Sequence, residues 1–484
     1  MNQEPEISYD VLDINQHILP AKIDTRNFNN VMESAKLKQS PVLAIVIGTK
    51  PDFYKQAPLI HEAIKQDVPI MIVNTGQHYD DIVGFGIKEF KMERYIACNL
   101  QIRGDLLYKS SDLLLKFGLF GRYCRSKFPT VPIVPIVHGD TLVAGLAPLS
   151  WMFSLGQKVA QNEAGLRSMA PVSLLNIRVN QTPSHADVEA FINSQLFKGW
   201  FMARDEPFPE QLDTWVCSAG TQYFFAPTEL NKENLIREGY VKGHIHTVGN
   251  SVVDAIKMRR KEKPQQSIFD LYPMLEFGEW IRVDIHRREN LTKRRFTSIV
   301  RAIETLVKNG YKVLLVKLNA TSQALESYGF DKIITNLSES HKNCFLETPL
   351  WKEYGNVIEF LDSGNCWCEL TDSGSMQEEL LYFPKVKSLT VRLSTDRPET
   401  IFIAKNNILV PPINEEWILK SIQLSHEGKI PLNKKQQIYG TSGQVSKQIV
   451  GIMKKYFEEN DVTTNPWLHE RLNLWKDEEK FNYL

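Results

Sequence analysis

A chain of 484 residues exceeds what a single hydrophobic core organises, so two domains are expected. Its 57 basic residues balance 57 acidic ones, which leaves no net charge to gather nucleic acid or an anionic membrane surface. Hydrophobic residues make up 43%, yet the longest apolar runs fall far short of the ~20 residues of a membrane helix, so a soluble protein without membrane association is expected.

The N-terminus, opening MNQEPEISYD, shows no basic segment followed by an apolar one; a secretory signal is not expected, and the cytoplasm is the expected compartment. Six scattered cysteines suit free thiols under reducing conditions, and the Cys366 and Cys368 pair lacks a second pair that would complete a metal site. From residue 41 onward, short β-branched runs alternate with helical segments. VLAIVIGT at 42–49 leads to a helical stretch at 53–66, then PIMIVNTG at 69–76, a helix at 106–127 and VPIVPIVHGDT at 131–141. A helix-like AGLAPLSWMFS, KVAQNEAG at 158–165, QYFFAPT at 222–228 and IHTVGNSVVDAIKM at 245–258 complete a first unit. The charged KMRRKEKPQQS at 257–267 reads as a linker, after which the pattern restarts. WIRVDIH (280–286), a helix at 296–308, YKVLLVKL, NVIEFL, a helix from near Gly374, VKSLTVR (386–392), NILVPP and a helix near 442–456 form the second unit. This alternation predicts an α/β fold of two Rossmann-like domains, with parallel sheets facing a central cleft at the carboxyl ends of their strands. The expected organisation is an extension over 1–40, a first domain over 41–262, a second over 263–456 and a helical tail over 457–484.

Several motifs fall at strand ends. GTKPDFYK (48–55) opens a helix after a strand, so its backbone amides and Lys50 suit a diphosphate, with Lys55 one turn further along. VHGDT (137–141) places Asp140 at the cleft, and NEAGLRS (162–168) does the same for Glu163 and Arg167. His286 is expected at the end of its strand, followed by Arg287, Arg288, Glu289 and Asn290. In TDSGSMQEE (371–379), Ser373, Gly374 and Ser375 stand at a helix N-terminus suited to a phosphate, with Glu379 further along the helix. Any one of these alone reads as a cap, a turn or a surface ion pair.

Together and in this order, the motifs resemble those of the non-hydrolysing UDP-N-acetylglucosamine 2-epimerases, over roughly residues 41–456. The resemblance implies a glycosyltransferase-B type of fold and a homodimer. It also implies inversion at C2 of a UDP-N-acetylamino sugar, giving the manno epimer: UDP leaves C1, a glycal forms, and UDP adds back after a proton returns on the opposite face. No cofactor and no metal are required. By the same resemblance Asp140, Glu163, Glu210, Lys55 and His286 are catalytic. UDP falls to Lys50, His286, Ser373, Gly374, Ser375, Glu379, Arg392 and Arg397, and Gln77, His78 and Arg287 are candidate regulatory contacts. The chain departs from the family pattern at Lys50 (usually Arg), Asp52 (usually Glu), Gln161 (usually His), Gln211 (usually Glu), Thr214 (usually Arg) and Ser375 (commonly Gly). It also carries an insertion at about 169–207 and extra sequence around 327–352. A hydrolysing 2-epimerase, a UDP-sugar glycosyltransferase and an inactive UDP-sugar-binding relative remain alternatives.

Overall fold

The computed structural model describes residues 19–76, 81–197, 199–430, 432 and 437–459. Strands β1 (Lys22–Ile23), β2 (Val42–Ile47), β3 (Ile70–Asn74), β4 (Ile96–Asn99), β5 (Ile133–His138) and β6 (Val159–Asn162) come first. A short hairpin-like pair, β7 (Met169–Pro171) and β8 (Trp200–Met202), follows, and then β9 (Thr221–Ala226) and β10 (Ile245–Thr247). Eight of these form one sheet in the order β1-β4-β3-β2-β5-β6-β9-β10, parallel except for β1 against β4. The second sheet holds β11 (Trp280–Asp284), β12 (Lys312–Lys317), β13 (Phe345–Pro349), β14 (Cys366–Thr371), β15 (Lys387–Thr390) and β16 (Asn407–Leu409), in the parallel order β13-β12-β11-β14-β15-β16. Runs such as VLAIVI are buried at every residue because helices cover both faces, which is why they are continuously apolar rather than alternating. Strand order reverses direction between β2 and β5 in one sheet and between β11 and β14 in the other. At such switch points the loops after neighbouring strands diverge and leave a crevice.

Several expectations are corrected. NVIEFL is not a strand but lies within the helix Tyr354–Ser363, whereas β13 and β14 did not stand out in the sequence. A short apolar run reads alike as strand or buried helix, and length alone does not separate them. The first residues of the supposed linker form the last turn of the helix Val252–Arg260. Residues 22–38 pack with the first unit: β1 joins its sheet beside β4, and the helix Thr25–Lys38 buries Phe28, Met32 and Ala35. The helix Val445–Glu458, assigned to the second unit from sequence, packs on the helices Lys50–Lys65 and Val252–Arg260 of the first. Most of the expected helical tail lies outside the described residues.

The segment inserted near 169–207 bonds to the second unit. Its helix His185–Phe197 sends Val188, Phe191 and Ile192 into the second unit's core, where Phe191 packs edge-on against Trp417 at 5.5 Å. The Gln195 side chain covers the outer edge of β16, donating to Leu409 O at 2.9 Å and accepting from Leu409 N at 2.7 Å. Met169 and Thr395 exchange both backbone hydrogen bonds, at 2.8 and 2.9 Å, and Arg295 forms a bidentate pair with Glu206.

Candidate active site

The loops after β2, β5 and β6 meet those after β11, β14 and β15, and the charged side chains between them are almost all buried. Lys55, fully buried on the helix Lys50–Lys65, places Nζ 2.6 Å from Glu163 Oε1 and also bonds Glu378. Asp52 caps the same helix, its Oδ2 accepting from Gly48 N at 3.0 Å and Thr49 N at 2.8 Å. Asp140 follows Gly139, whose φ of +63° turns the chain sharply out of β5. Glu163 follows β6 with φ +58°, a left-handed conformation unusual for a side chain of its size and one that concentrates at functional sites.

Arg397 reaches from the second unit into the first. Its Nη1 is 2.8 Å from Asp140 Oδ2, its Nη2 3.4 Å from Glu163 Oε2 and its Nε 2.9 Å from Glu378 Oε1, and it also pairs with Asp396. Asp396 accepts in turn from Arg392 at 2.8 Å. His138, the last residue of β5, has Nδ1 3.0 Å from Asp52 Oδ1 and Nε2 3.1 Å from Glu163 Oε1. Five carboxyls (Asp52, Asp140, Glu163, Glu378, Asp396) thus face four cationic groups (Lys55, His138, Arg392, Arg397), an imbalance that favours retention of a proton by one acid. Burial pushes Asp140 up to about 7, with Arg397 pulling against it and Asp396 adding to it. Burial likewise raises Glu378. Glu163 behaves oppositely: burial would raise it, but Lys55, His138 and Arg397 outweigh that and hold its carboxyl well below the ordinary range. Of two neighbouring acids bound by the same guanidinium, Glu163 is therefore ionised at neutral pH and Asp140 about half protonated.

On the other side of the cleft, His286 sits two residues beyond the end of β11 rather than at its end. Its backbone N–H donates to Asp372 Oδ1 at 3.0 Å, and its Nδ1 lies 3.1 Å from Asp284 Oδ1. Against the burial that would lower it, Asp372 and Asp284 raise the His286 pKa, which favours the cationic ring. Ser373 caps the helix Gly374–Glu379, and a Cβ at Gly374 would lie 3.3 Å from the Arg397 guanidinium carbon, so a larger residue there would ask that side chain to shift by a few tenths of an ångström. Glu379 accepts from Tyr54 OH at 2.7 Å, Ser375 Oγ at 2.7 Å and Tyr354 OH at 3.0 Å. The two tyrosine rings, one from each unit, stack at 4.4 Å and 13°. Lys50 stands at the start of its helix, where burial lowers its pKa against the pull of Glu379. Glu210, at the start of the helix Glu210–Ala219, pairs with Arg287 across the cleft.

The structure thus gathers Lys50, Lys55, Asp140, Glu163, Glu210, His286, Arg287, Ser373, Gly374, Ser375, Glu379, Arg392 and Arg397 around one cleft. Gln77 and His78 lie outside the described residues. Arg167, expected at the cleft, turns away: it binds Glu238 at 2.7 Å through Nε and lies 4.2 Å over the Trp215 ring. The altered Gln211 and Thr214 are absorbed locally, Gln211 Oε1 accepting from Ser168 N at 2.8 Å and Thr214 Oγ1 from Arg167 at 3.2 Å. His138, Glu378, Asp396, Tyr54 and Tyr354 were not singled out from the sequence. The signal for His138, Glu378 and Tyr54 was present, since they lie within motifs that were read, VHGDT, TDSGSMQEE and GTKPDFYK.

A sequence model described as UDP-N-acetylglucosamine 2-epimerase matches residues 202–454. The UDP-N-acetylglucosamine 2-epimerase of Methanocaldococcus jannaschii is 28% identical over 434 residues, which cover 85% of this chain and 98% of that protein. The Campylobacter jejuni enzyme of the same name is 28% identical over 375 residues, covering 74% and 83%. Among solved structures, the M. jannaschii UDP-GlcNAc 2-epimerase in complex with UDP-GlcNAc and UDP superposes with a TM-score of 0.67 at 25% identity, covering 86% of this chain and 99% of that one. The Neisseria meningitidis UDP-GlcNAc 2-epimerase bound to UDP-GlcNAc shares the fold, with a TM-score of 0.66, 23% identity and coverage of 86% and 100%. With the matched region spanning more than half the chain and the strand-end motifs converging on one cleft, this protein belongs to the UDP-N-acetylglucosamine 2-epimerase family.

Proposed function

We propose that the protein epimerises UDP-N-acetylglucosamine, or a close relative, at C2 by eliminating and re-adding UDP. One observation carries the mechanism: the buried pair of Asp140 and Glu163, bridged by Arg397 and displaced in opposite directions. The C2 proton is not acidic, so its removal has to be coupled to departure of the C1–O bond pair with UDP. A carboxylate on one face takes the proton, and a carboxylic acid on the other returns one before UDP reattacks C1. Glu163, held ionised, suits the base, and Asp140, protonated near neutrality, suits the acid. Reversal of the reaction exchanges the two roles. Lys55 and Arg397 limit the charge that builds as the proton moves, in a site from which water is largely excluded. Glu210, paired with Arg287, is the third acid assigned to the sugar.

The leaving diphosphate falls to His286, to Arg287 and to the Ser373–Ser375 turn, with Lys50 and Arg392 nearby and Glu379 accepting the ribose hydroxyls. Glu379 already accepts three hydroxyl hydrogen bonds, the pattern a diol would replace. Among the described residues no helix is long and apolar enough to cross a membrane, and the six cysteines are unpaired, which supports a cytoplasmic enzyme. Exposed Leu107, Leu115 and Leu119 on the helix Leu106–Lys127, beside exposed Phe153, support a homodimer through this face. Proton NMR of UDP-N-acetylglucosamine in deuterated water tests the whole reading. Expected are the manno epimer and deuterium at C2. Free UDP with N-acetylmannosamine would indicate the hydrolysing reaction, and binding with neither product would refute catalysis.

A further inference from the structure

His138 is a buried titratable side chain that touches the machinery and has no role assigned above. Its ring lies between two carboxylates, Asp52 Oδ1 at 3.0 Å from Nδ1 and Glu163 Oε1 at 3.1 Å from Nε2, with only 3% of the residue exposed. A neutral imidazole carries one N–H and no charge; the imidazolium hydrogen-bonds Asp52 through Nδ1 and sets its positive charge in ion-pair contact with Glu163 through Nε2. The outer carboxylate is itself fixed, because Asp52 Oδ2 is held by the Gly48 and Thr49 amides at the head of a helix. The inner one is positioned by the sheet. His138 pairs in register with Asn162, the residue before Glu163, and Gly139 N donates to Asn162 O at 2.8 Å.

We infer that His138 is a positioning residue for Glu163, an imidazolium clamped by Asp52 that holds the Glu163 carboxylate ionised and aimed while the neighbouring Asp140 keeps its proton. It rests on the epimerase reading above. His138 has no free lone pair and so does not take the C2 proton; that proton goes to Glu163, and His138 stays charged throughout. The other charged groups facing this pair are Lys55 from the same helix as Asp52, Glu378 from the helix Gly374–Glu379, and Arg397 with Asp396 from the loop after β15. In that surrounding, against its burial, Glu163 and Asp52 raise His138 to about 9, so it remains cationic where Asp140 is half protonated.

The test is the pH dependence of C2 deuterium incorporation, in the parent and in His138→Gln and Asp52→Asn. Removing an opposite charge at contact distance moves a carboxylate by ~1–3 units, so His138→Gln is expected to shift the acid limb of kcat upward by that amount. It should also lower kcat without raising KM, by less than the ~10²- to 10⁴-fold lost with an acid–base group itself. Asp52→Asn keeps an oxygen to cap its helix but loses the charge that helps hold His138 cationic, so its acid limb is expected to move upward in the same direction as that of His138→Gln. If His138→Gln does not fold, the acid limb of Asp52→Asn decides. A parent that incorporates no deuterium would refute the epimerase reading and this inference with it. A parent that does, with profiles in both variants that superimpose on its own after scaling, would overturn the role of His138 alone.

Discussion

Asp140→Asn separates catalysis from stability, because the property that suits Asp140 to its role is a burden on the fold. Its pKa is raised from 3.8 to about 7 by burial. A group whose folded pKa lies above its unfolded value stabilises the native state only while protonated. Stability is therefore full below about pH 4 and falls as pH rises to about 7, where the native state has to ionise a carboxyl that water would have solvated. A shift of roughly three units at 1.36 kcal/mol each corresponds to a loss on the order of 4 kcal/mol across that window. Asparagine does not titrate, and its oxygen still accepts from Arg397. Urea unfolding at pH 5 and pH 8 should show the parent losing stability relative to the variant as pH rises, while C2 deuterium incorporation by the variant falls by ~10²- to 10⁴-fold. Glu369 and Glu399, each raised to about 8, titrate in the same direction in both proteins and cancel in the difference between the two curves, whereas Asp213, raised to about 8 in part by Asp140, responds to the substitution. Curves that run parallel from pH 5 to pH 8 would refute the assignment of Asp140 as the buried, proton-retaining acid.

Three further outcomes are expected. Lys55→Met leaves Glu163 and Glu378 buried without their shared cation, which should cost about 3–5 kcal/mol at neutral pH and less at acid pH, where both acids are protonated; chemical denaturation at two pH values checks it. Glu379→Ala should abolish most of the thermal shift given by UDP, which at 100 times its dissociation constant amounts to ~2.7 kcal/mol in the parent; an undiminished shift would remove Glu379 from the nucleotide site. Gln195→Ala deprives Leu409 N and O of their partners inside the protein and should destabilise by about 2–4 kcal/mol; a change within the ~0.5 kcal/mol typical of a surface substitution would show that the inserted helix adds nothing to the second unit.

The parallel sheets were legible because their strands are buried on both faces, and the site was legible where its residues occupy strand ends, as Asp140 and Ser373 do. What sequence could not supply was direction. Arg167 and Arg397 both follow acidic or glycine-bearing motifs, yet Arg167 turns to Glu238 while Arg397 crosses to Asp140, a choice made by partners more than 70 positions away in the chain. NVIEFL was ambiguous because a six-residue apolar run has no period to distinguish helix from strand. Tyr54 and Tyr354, some 300 positions apart, gave no sign that both hydroxyls would meet on Glu379.

The altered motif and the insertion bear on one another through Arg397. With Thr214 where the family usually has arginine, and Arg167 drawn to Glu238, the guanidinium that reaches Asp140 and Glu163 comes from the second unit. Its bonds at 2.8–3.4 Å do not survive a separation of the two units by even a few ångströms. The inserted segment opposes that separation at the place that matters, since Met169 exchanges two backbone hydrogen bonds with Thr395, two residues before Arg397. The difference in protonation between Asp140 and Glu163 depends on the same contact. Burial is the largest cause of the raised Asp140, and water admitted between the units would return it towards the ordinary carboxylate range. The proposed role of Asp140 as the acid therefore requires a closed cleft, an arrangement that the inserted segment favours through its bonds to Thr395.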